Sequence, residues 1–387
     1  MASNSKNLAE LLNSDVTLTA TDIADGAVTT AKIADTVNLG RRNKIMNGDA
    51  KVAQRATTAA ETSAFVLDRW KVEAANQDQL ALQVSQSSDT PDGMGFSHSH
   101  LINVNTAETA IASDEYLRYY QTIEARNLQD AAYGSSSPKK MQLSFWVKAT
   151  GTNVTGTYGI LFWIQDAQKY QNATYTINAA NTWEKKTIEI ATTGHATINN
   201  DSGQGMRVNF HLMAGSGYTS GAYTNEWGTG AGSPGNTHFA GGHAQNTFVQ
   251  TVGNKWYLTG VQLEVADSVT EFEHLSYAEE LTLCHRYYYK TGDTTGYLIG
   301  RGNGTTNLAG VNIPILTMMR ANPTFAMTSG TWYVIDDNSY VNGTSLGVGS
   351  IVLGGGHLKV QFSSLNSLTD NRFGMIQLPG YELTAEL

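Results

Sequence analysis

Met141-Gln-Leu-Ser-Phe-Trp-Val-Lys148 alternates two kinds of side chain almost residue by residue. On an extended chain successive side chains point to opposite faces, so Met141, Leu143, Phe145 and Val147 share one face and Gln142, Ser144, Trp146 and Lys148 the other. The same period returns in Met206-Arg-Val-Asn-Phe-His-Leu-Met213, where Met206, Val208, Phe210 and Leu212 alternate with Arg207, Asn209, His211 and Met213. Both stretches predict half-buried antiparallel strands. Further strands are expected at Glu115–Ala125, Tyr158–Ile164, Thr174–Asn178, Trp183–Ile190 and Tyr257–Val265, divided by clusters of Gly, Asn, Ser and Thr. No long helical pattern interrupts the run from about Asn43 to Leu275, and two packed sheets are the economical architecture.

Composition agrees with an all-β chain rich in turns. Only 15% of the 387 residues are charged, against roughly 25% in an average soluble protein, and 38 glycines with abundant Thr, Asn and Ser take their place. A mass of 41.8 kDa is enough for two or three domains. The formal net charge of −9, from 25 basic and 34 acidic residues, argues against nucleic acid and against insertion into an anionic membrane. Phosphate binding needs clustered cations, and Lys139-Lys140 is the nearest approach to a cluster.

The single cysteine, Cys284, excludes an intrachain disulfide framework and a Cys-based zinc site. The start Met-Ala-Ser-Asn-Ser-Lys6 does not read as a secretory signal, so synthesis in a cytoplasm without export by the usual routes is expected. The longest apolar run, Tyr158-Gly-Ile-Leu-Phe-Trp-Ile164, falls far short of the ~20 residues that a membrane span requires.

Residues 1 to about 40 contain no aromatic side chain and repeat Ile23-Ala-Asp-Gly-Ala-Val28 as Ile33-Ala-Asp-Thr-Val37. Isolated apolar residues among small polar ones cannot enclose a core in one chain. Such a segment is either disordered or packs against copies of itself. Asn7-Leu-Ala-Glu-Leu-Leu12 has the apolar spacing of one short helix.

Arg42-Asn-Lys-Ile-Met-Asn-Gly-Asp49 and Val66-Leu-Asp-Arg-Trp70 open the strand-rich region. Trp256-Tyr-Leu-Thr-Gly-Val-Gln-Leu-Glu264, Phe272-Glu-His-Leu-Ser-Tyr-Ala-Glu-Glu280 and Cys284-His-Arg-Tyr-Tyr-Tyr289 close it. Together these stretches resemble the opening and closing signatures of bacteriophage tail-fibre proteins built on a carbohydrate-binding-module-like jelly roll. Leu143-Ser-Phe-Trp-Val-Lys-Ala149 and Thr176-Ile-Asn-Ala-Ala-Asn-Thr-Trp183 resemble inner strands of such modules, and Met319-Arg-Ala-Asn-Pro-Thr324 and Glu382-Leu-Thr-Ala-Glu-Leu387 resemble later family signatures.

The resemblance implies an antiparallel jelly-roll sandwich plus a smaller C-terminal β domain. Residues 1–42 would be a short extended segment for trimerisation and for attachment to a tail hub or adaptor protein. Residues 43–275 would be the jelly roll, and 276–387 a linker helix and a C-terminal β domain acting as receptor-binding tip. The implied function is that of a non-enzymatic, homotrimeric virion protein adhering to a host-surface polysaccharide. Rival readings are a tailspike that cleaves such a polysaccharide and a purely structural tail connector. A tailspike β-helix would show regular short repeats, and residues 43–387 show none.

Ser276-Tyr-Ala-Glu279 has the form of a capping box, and a helix is expected from there to about Tyr288, with Leu281, Cys284 and Tyr288 on one side. Beyond it, strands are expected near Leu308–Leu316, Thr331–Ile335, His357–Phe362 and Phe373–Leu378.

Candidate sites are few. Ala214–Thr247 is Gly-rich without strand periodicity, and long structureless stretches in compact domains are usually functional or disordered. Its Tyr218, Tyr223, Trp227 and Phe239 have the chemistry to stack on sugars, or else to pack against a neighbouring subunit. In the tip, exposed members of Trp332, Tyr333, Tyr340 and Tyr381 would be the natural receptor contacts, but most are expected to be core, since only one of two alternating faces points outward. His98-Ser-His100 could place two imidazoles on one side of a strand, and some phage fibres hold iron through such pairs, but this pair lies within the presumed jelly roll. No metal or cofactor is assigned. Gly300-Arg-Gly-Asn-Gly304 and Gly354-Gly-Gly356 lack the phosphate-loop context and read as turns. Asp166, Glu226, Asp336 and Asp337 are scattered carboxylates with nothing to mark a glycosidase pair.

Overall fold

The computed structural model describes residues 41–219, 226–229, 246–292, 297–302, 307–328, 331–335, 340–343, 347–354, 357–363, 365, 373–378 and 380–387. Residues 42–387 pack as one compact unit. The expected N-terminal segment lies outside the described residues but for its last two.

Thirteen described strands build the first sandwich: β1 (Thr58–Ala60), β2 (Ser63–Phe65), β3 (Lys71–Ala75), β4 (Ala81–Ser87), β5 (Ser99–Thr106), β6 (Tyr116–Glu124), β7 (Met141–Thr150), β8 (Gly156–Ile164), β9 (Lys169–Ile177), β10 (Glu184–Ile190), β11 (Gln204–Ala214), β12 (Gly228–Thr229) and β13 (Lys255–Val265). One sheet runs β1-β4-β5-β13-β7-β10 and the other β12-β9-β8-β11-β6-β3-β2. Every pairing in both is antiparallel, and the sandwich is the expected jelly roll.

The period-two residues meet between the sheets. Phe145 of β7 stands edge-on to Tyr175 and Phe210, each ring pair 5.1 Å apart, and Trp256 reaches the Tyr175 hydroxyl at 3.2 Å. The tilted and edge-on geometries suit ring quadrupoles.

β7 departs from the half-buried expectation, for its second face is nearly as buried as its first. The reason is tertiary. Lys148 pairs with Asp89 and lies over the rings of Trp183 and Tyr257 at 5.2 and 4.8 Å. Gln142 bonds Glu189 and the carbonyl of Asp267, so segments before β5 and after β13 close over the sheet.

The opening and closing signatures are two halves of one clasp. Asn43 donates to the Val261 carbonyl at 3.0 Å and accepts from the amides of Ile45 and Leu263 at 2.9 and 3.1 Å. The Glu273 carboxylate accepts the Arg42 and Asn43 amides, satisfying backbone groups that no strand partner reaches. Asn47, at φ 54, accepts from the Val52 amide and donates to the Val52 and Asp68 carbonyls, and its own carbonyl receives the Trp70 indole.

α1 (Tyr277–His285) begins with the expected capping box at Ser276 and Glu279. It ends three residues short of the expected Tyr288. The aromatic run that follows belongs to β14 (Tyr288–Lys290), paired with β23 below, because consecutive tyrosines favour a pleated surface over a helix.

The C-terminal part adds β15 (Tyr297–Gly302), β16 (Leu308–Pro314), β17 (Thr324–Met327), β18 (Trp332–Ile335), β19 (Tyr340–Gly343), β20 (Gly347–Gly354), β21 (His357–Ser363), β22 (Phe373–Gln377) and β23 (Tyr381–Thr384). They form a three-stranded sheet, β14-β23-β17, and a seven-stranded sheet, β19-β18-β22-β15-β16-β21-β20. Gly300 and Arg301, expected in a turn, instead pair with Gly374 and Phe373 inside a sheet, whereas Gly354 pairs with His357 as the last pair between β20 and β21, in keeping with the turn expected there.

Candidate functional site

The outer face of the jelly roll's seven-stranded sheet does not look like an ordinary solvated face. Register brings its side chains into three cross-strand rows. Glu73 of β3, Arg118 of β6 and His211 of β11 form the first. Lys71, Tyr120, Asn209, Leu161 and Asn172 form the second, across five strands. Thr122, Arg207, Trp163, Tyr170 and Gly228 form the third. Neighbours in such rows stand close enough to interact directly.

Glu73 is the acceptor at the centre of the first row. Arg118 Nη2 and the hydroxyls of Tyr116 and Tyr120 donate to it at 2.6, 2.7 and 3.0 Å. Burial raises its pKa, but the Arg118 charge and these three donors outweigh burial and hold it at about 2. Asn209 donates to the Leu161 carbonyl at 2.9 Å. Tyr116, Leu161, Trp163, Tyr170, Ala214 and Tyr218 form a second apolar cluster on this outer side, separate from the main core.

In the third row Thr122, Trp163 and Tyr170 are buried, and Arg207 and Gly228 are half-buried. The Arg207 guanidinium lies 4.5 Å from the Tyr120 ring centroid and 5.0 Å from that of Trp163, and bonds Thr122 Oγ1 and Gln204 Oε1 at 3.3 and 2.9 Å. The Trp163 indole N–H, the Gln204 amide nitrogen and both polar atoms of the Asn172 amide have no hydrogen-bond partner among the described residues. A half-buried guanidinium beside polar groups that lack partners among the described residues has the chemistry to hold a polar ligand.

The residues singled out from sequence fall elsewhere or at the margin. Tyr218 lies in the outer cluster, but its hydroxyl is spent on the Asp114 carbonyl and its ring abuts Tyr116 at 5.7 Å. Trp227 belongs to the main core, donates to the Ala191 carbonyl at 2.7 Å and presents no ring face to solvent. Trp332 is likewise core in the C-terminal part, while Tyr333 beside it is half-buried. Tyr340 opens β19 and pairs with Ile335. Tyr223 and Phe239 lie outside the described residues, as do Asp336 and Asp337.

His98 and His100 are not a pair of ligands. His100 is fully buried, with Nδ1 2.9 Å from the Tyr119 hydroxyl and Nε2 3.1 Å from the Asn47 carbonyl, whereas His98 precedes the strand and bonds Ser97. Among the described residues no group of His, Cys, Asp or Glu is arranged to hold a metal.

Burial lowers the pKa of both His100 and His211 to about 3, with the Arg118 charge adding to the effect at His211. An unfolded imidazole titrates near 6.5, so between these values the unfolded chain binds protons that the folded one refuses. Stability contributed by each is therefore lost as pH falls from about 6.5 toward 3, at up to ~1.4 kcal/mol per pH unit. Asp68 and Glu115, whose pKa values burial raises, act in the opposite sense. Urea unfolding at pH 7.5 and 5.0 is expected to show a net loss of about 2 kcal/mol or more. His100→Asn should flatten that slope, and an equal slope in the variant would refute the assignment.

The sequence matches no protein-family model. It matches no curated protein either. Among solved structures, the chain is similar to the family 11 carbohydrate-binding module of the cellulosomal cellulase Lic26A-Cel5E of Clostridium thermocellum, at 11% identity and a TM-score of 0.27, covering 56% of this chain and 98% of that one. It is similar to TmCBM61 in complex with beta-1,4-galactotriose, at 10% identity and a TM-score of 0.27, covering 58% and 100%. It is also similar to the CBM22-1–CBM22-2 tandem domain of Paenibacillus barcinonensis Xyn10C, at 8% identity and a TM-score of 0.28, covering 90% and 98%. Likeness this distant carries no argument about what the present chain binds.

Proposed function

We propose that this chain is a non-enzymatic, homotrimeric bacteriophage tail-fibre protein that adheres to a host-surface glycan through the outer face of its seven-stranded jelly-roll sheet. It would be made in the bacterial cytoplasm and act on the virion, attached to a tail hub or adaptor through residues 1–42. The observation that carries the binding reading is the ordered outer face, where the half-buried Arg207 stands between the Trp163 and Tyr120 rings and beside N–H groups without partners among the described residues. The tail-fibre reading rests on the family signatures at both ends of the jelly roll.

Two further features support the proposal. Glu73 is the one carboxylate within the three rows, and it is committed to Arg118, Tyr116 and Tyr120, which suits binding better than hydrolysis by a carboxylate pair. In the C-terminal seven-stranded sheet, Ile299 pairs with Met375 and Arg301 with Phe373, so that Ile299, Met375 and Phe373 stand exposed on one face at 59%, 41% and 76%. An uncovered apolar strip of this kind suits contact between copies. Linked copies turn weak sites into avid ones, by about 10²–10⁴-fold.

The test is an array of bacterial surface polysaccharides probed with the labelled full-length protein. Retention on a subset, without release of reducing ends, is the expected result, with a light-scattering mass near three times 41.8 kDa. Release of reducing ends would indicate a depolymerase, and a protein that binds no polysaccharide at any concentration would be a structural connector.

A further inference from the structure

We infer that the glycan held on this face is acidic, and that Arg207 is the specificity-determining residue that pairs with its carboxylate. This rests on the glycan-binding reading above and adds the charge class of the ligand and the residue that reads it.

The argument begins with an imbalance of charge. The chain as a whole is acidic at −9, yet the three rows carry Lys71, Arg118 and Arg207 against the single carboxylate of Glu73. Glu124, next along β6, is taken by Arg126 and Arg286 at 2.8 and 2.6 Å. Glu73 in turn is held by Arg118 at 2.6 Å and approached by Lys71 at 3.5 Å. Arg207 is therefore left with no carboxylate partner among the described residues, and its fixed contacts are two neutral oxygens, Thr122 Oγ1 and Gln204 Oε1. A half-buried guanidinium in that state retains a strong demand for an anion.

The second observation concerns the groups around it. Trp163 and Gln204, both in contact with the guanidinium, each keep a buried N–H without an acceptor among the described residues, and the amide nitrogen and oxygen of the fully buried Asn172 also lack partners among them. Leaving such groups unpaired is costly, and the two that touch the guanidinium, Trp163 Nε1 and Gln204 Nε2, are both donors in need of an acceptor. A carboxylate offers two acceptor oxygens in the planar geometry that matches a guanidinium fork, whereas a sugar hydroxyl brings a donor with its acceptor. The rings of Tyr120 and Trp163 flank the guanidinium, with centroids at 4.5 and 5.0 Å, and help to fix its position.

The experiment uses the polysaccharide array and the full-length protein. Array members that bind are retested after their carboxyl groups are reduced to alcohols, and against Arg207→Gln and Arg207→Lys. Binding should fall about tenfold or more on carboxyl reduction and in Arg207→Gln, should be partly kept by Arg207→Lys, and should weaken steeply with salt. Trp163→Phe, which removes only the indole N–H and ring bulk, should weaken binding about three- to fivefold with the fold intact, and covers the case in which Arg207→Gln fails to fold. If neutral polysaccharides bind and neither carboxyl reduction nor the Arg207 variants change the affinity, the acidic-ligand inference is wrong while the glycan-binding reading stands. If acidic members bind but Arg207→Gln and Trp163→Phe bind them equally well, the assignment to this row is wrong. If nothing on the array binds, both readings fall.

Discussion

Glu386→Ala is expected to lower the unfolding free energy by about 3–5 kcal/mol. The Glu386 carboxylate forms ion pairs with Arg69 and Arg55, and the side chains of Glu386 and Arg69 are only 6% and 2% exposed. The Arg69 guanidinium also lies 3.5 Å from the Tyr287 ring centroid, so it cannot swing out to water without breaking the packing of the segment after α1. Arg320 holds the same terminus by its backbone, donating to the Ala385 and Glu386 carbonyls at 2.9 and 3.0 Å. Removing the carboxylate leaves a buried cation without its anion, the case in which breaking a buried pair costs most. Urea denaturation of the full-length variant measures this. A loss below about 1 kcal/mol would mean that Arg69 finds water or another acceptor and that the C-terminal end is not a structural fastening.

Gly48→Ala should be nearly as damaging, at about 3 kcal/mol, for a steric reason. A Cβ on Gly48 would stand 2.2 Å from the Val261 carbonyl oxygen, and the Gly48 carbonyl itself accepts the Val261 amide at 3.0 Å. The obstruction is backbone, and it lies where β13 carries a register shift between Thr259 and Gln262, so relief would require moving a central strand. The comparison is Gly253→Ala. That glycine has φ +85 but nothing within 4 Å of a built Cβ, so it should lose only the ~1 kcal/mol of an L-residue in left-handed backbone. Thermal melts of the two variants side by side decide the point, and equal losses would refute a clasp closed by backbone contact at Gly48.

Much of the clasp and sandwich was legible because the signals are local. Alternation placed Met141, Phe145, Met206 and Phe210 on inward faces, where all four are fully buried. The Ser276 capping box depends on four consecutive residues and formed as expected. The failures share a cause as well. Trp332 looked like a candidate for sugar contact because periodicity says which residues share a face but not what will cover that face, and Trp227 because a Gly-rich stretch without periodicity gives no sign of what its rings pack against; both are core. The covered outer face of β7 and the strand at Gly300 have the same explanation, for each depends on a distant partner, Asp89 in one case and Gly374 in the other.

The candidate site shows the division most plainly. From the sequence alone, Arg207, Asn209 and His211 are known to share one face of a strand, since alternation is a property of the extended backbone. That Glu73, Arg118, Arg207 and Trp163 stand within one patch is a matter of register between β3, β6, β11 and β8, which pairings across chain separations of 41 residues or more set and no local pattern encodes. All-β character and the helix start were therefore determined along the chain. Which guanidinium lost its carboxylate, and which aromatic rings flank it, was decided only when the strands paired.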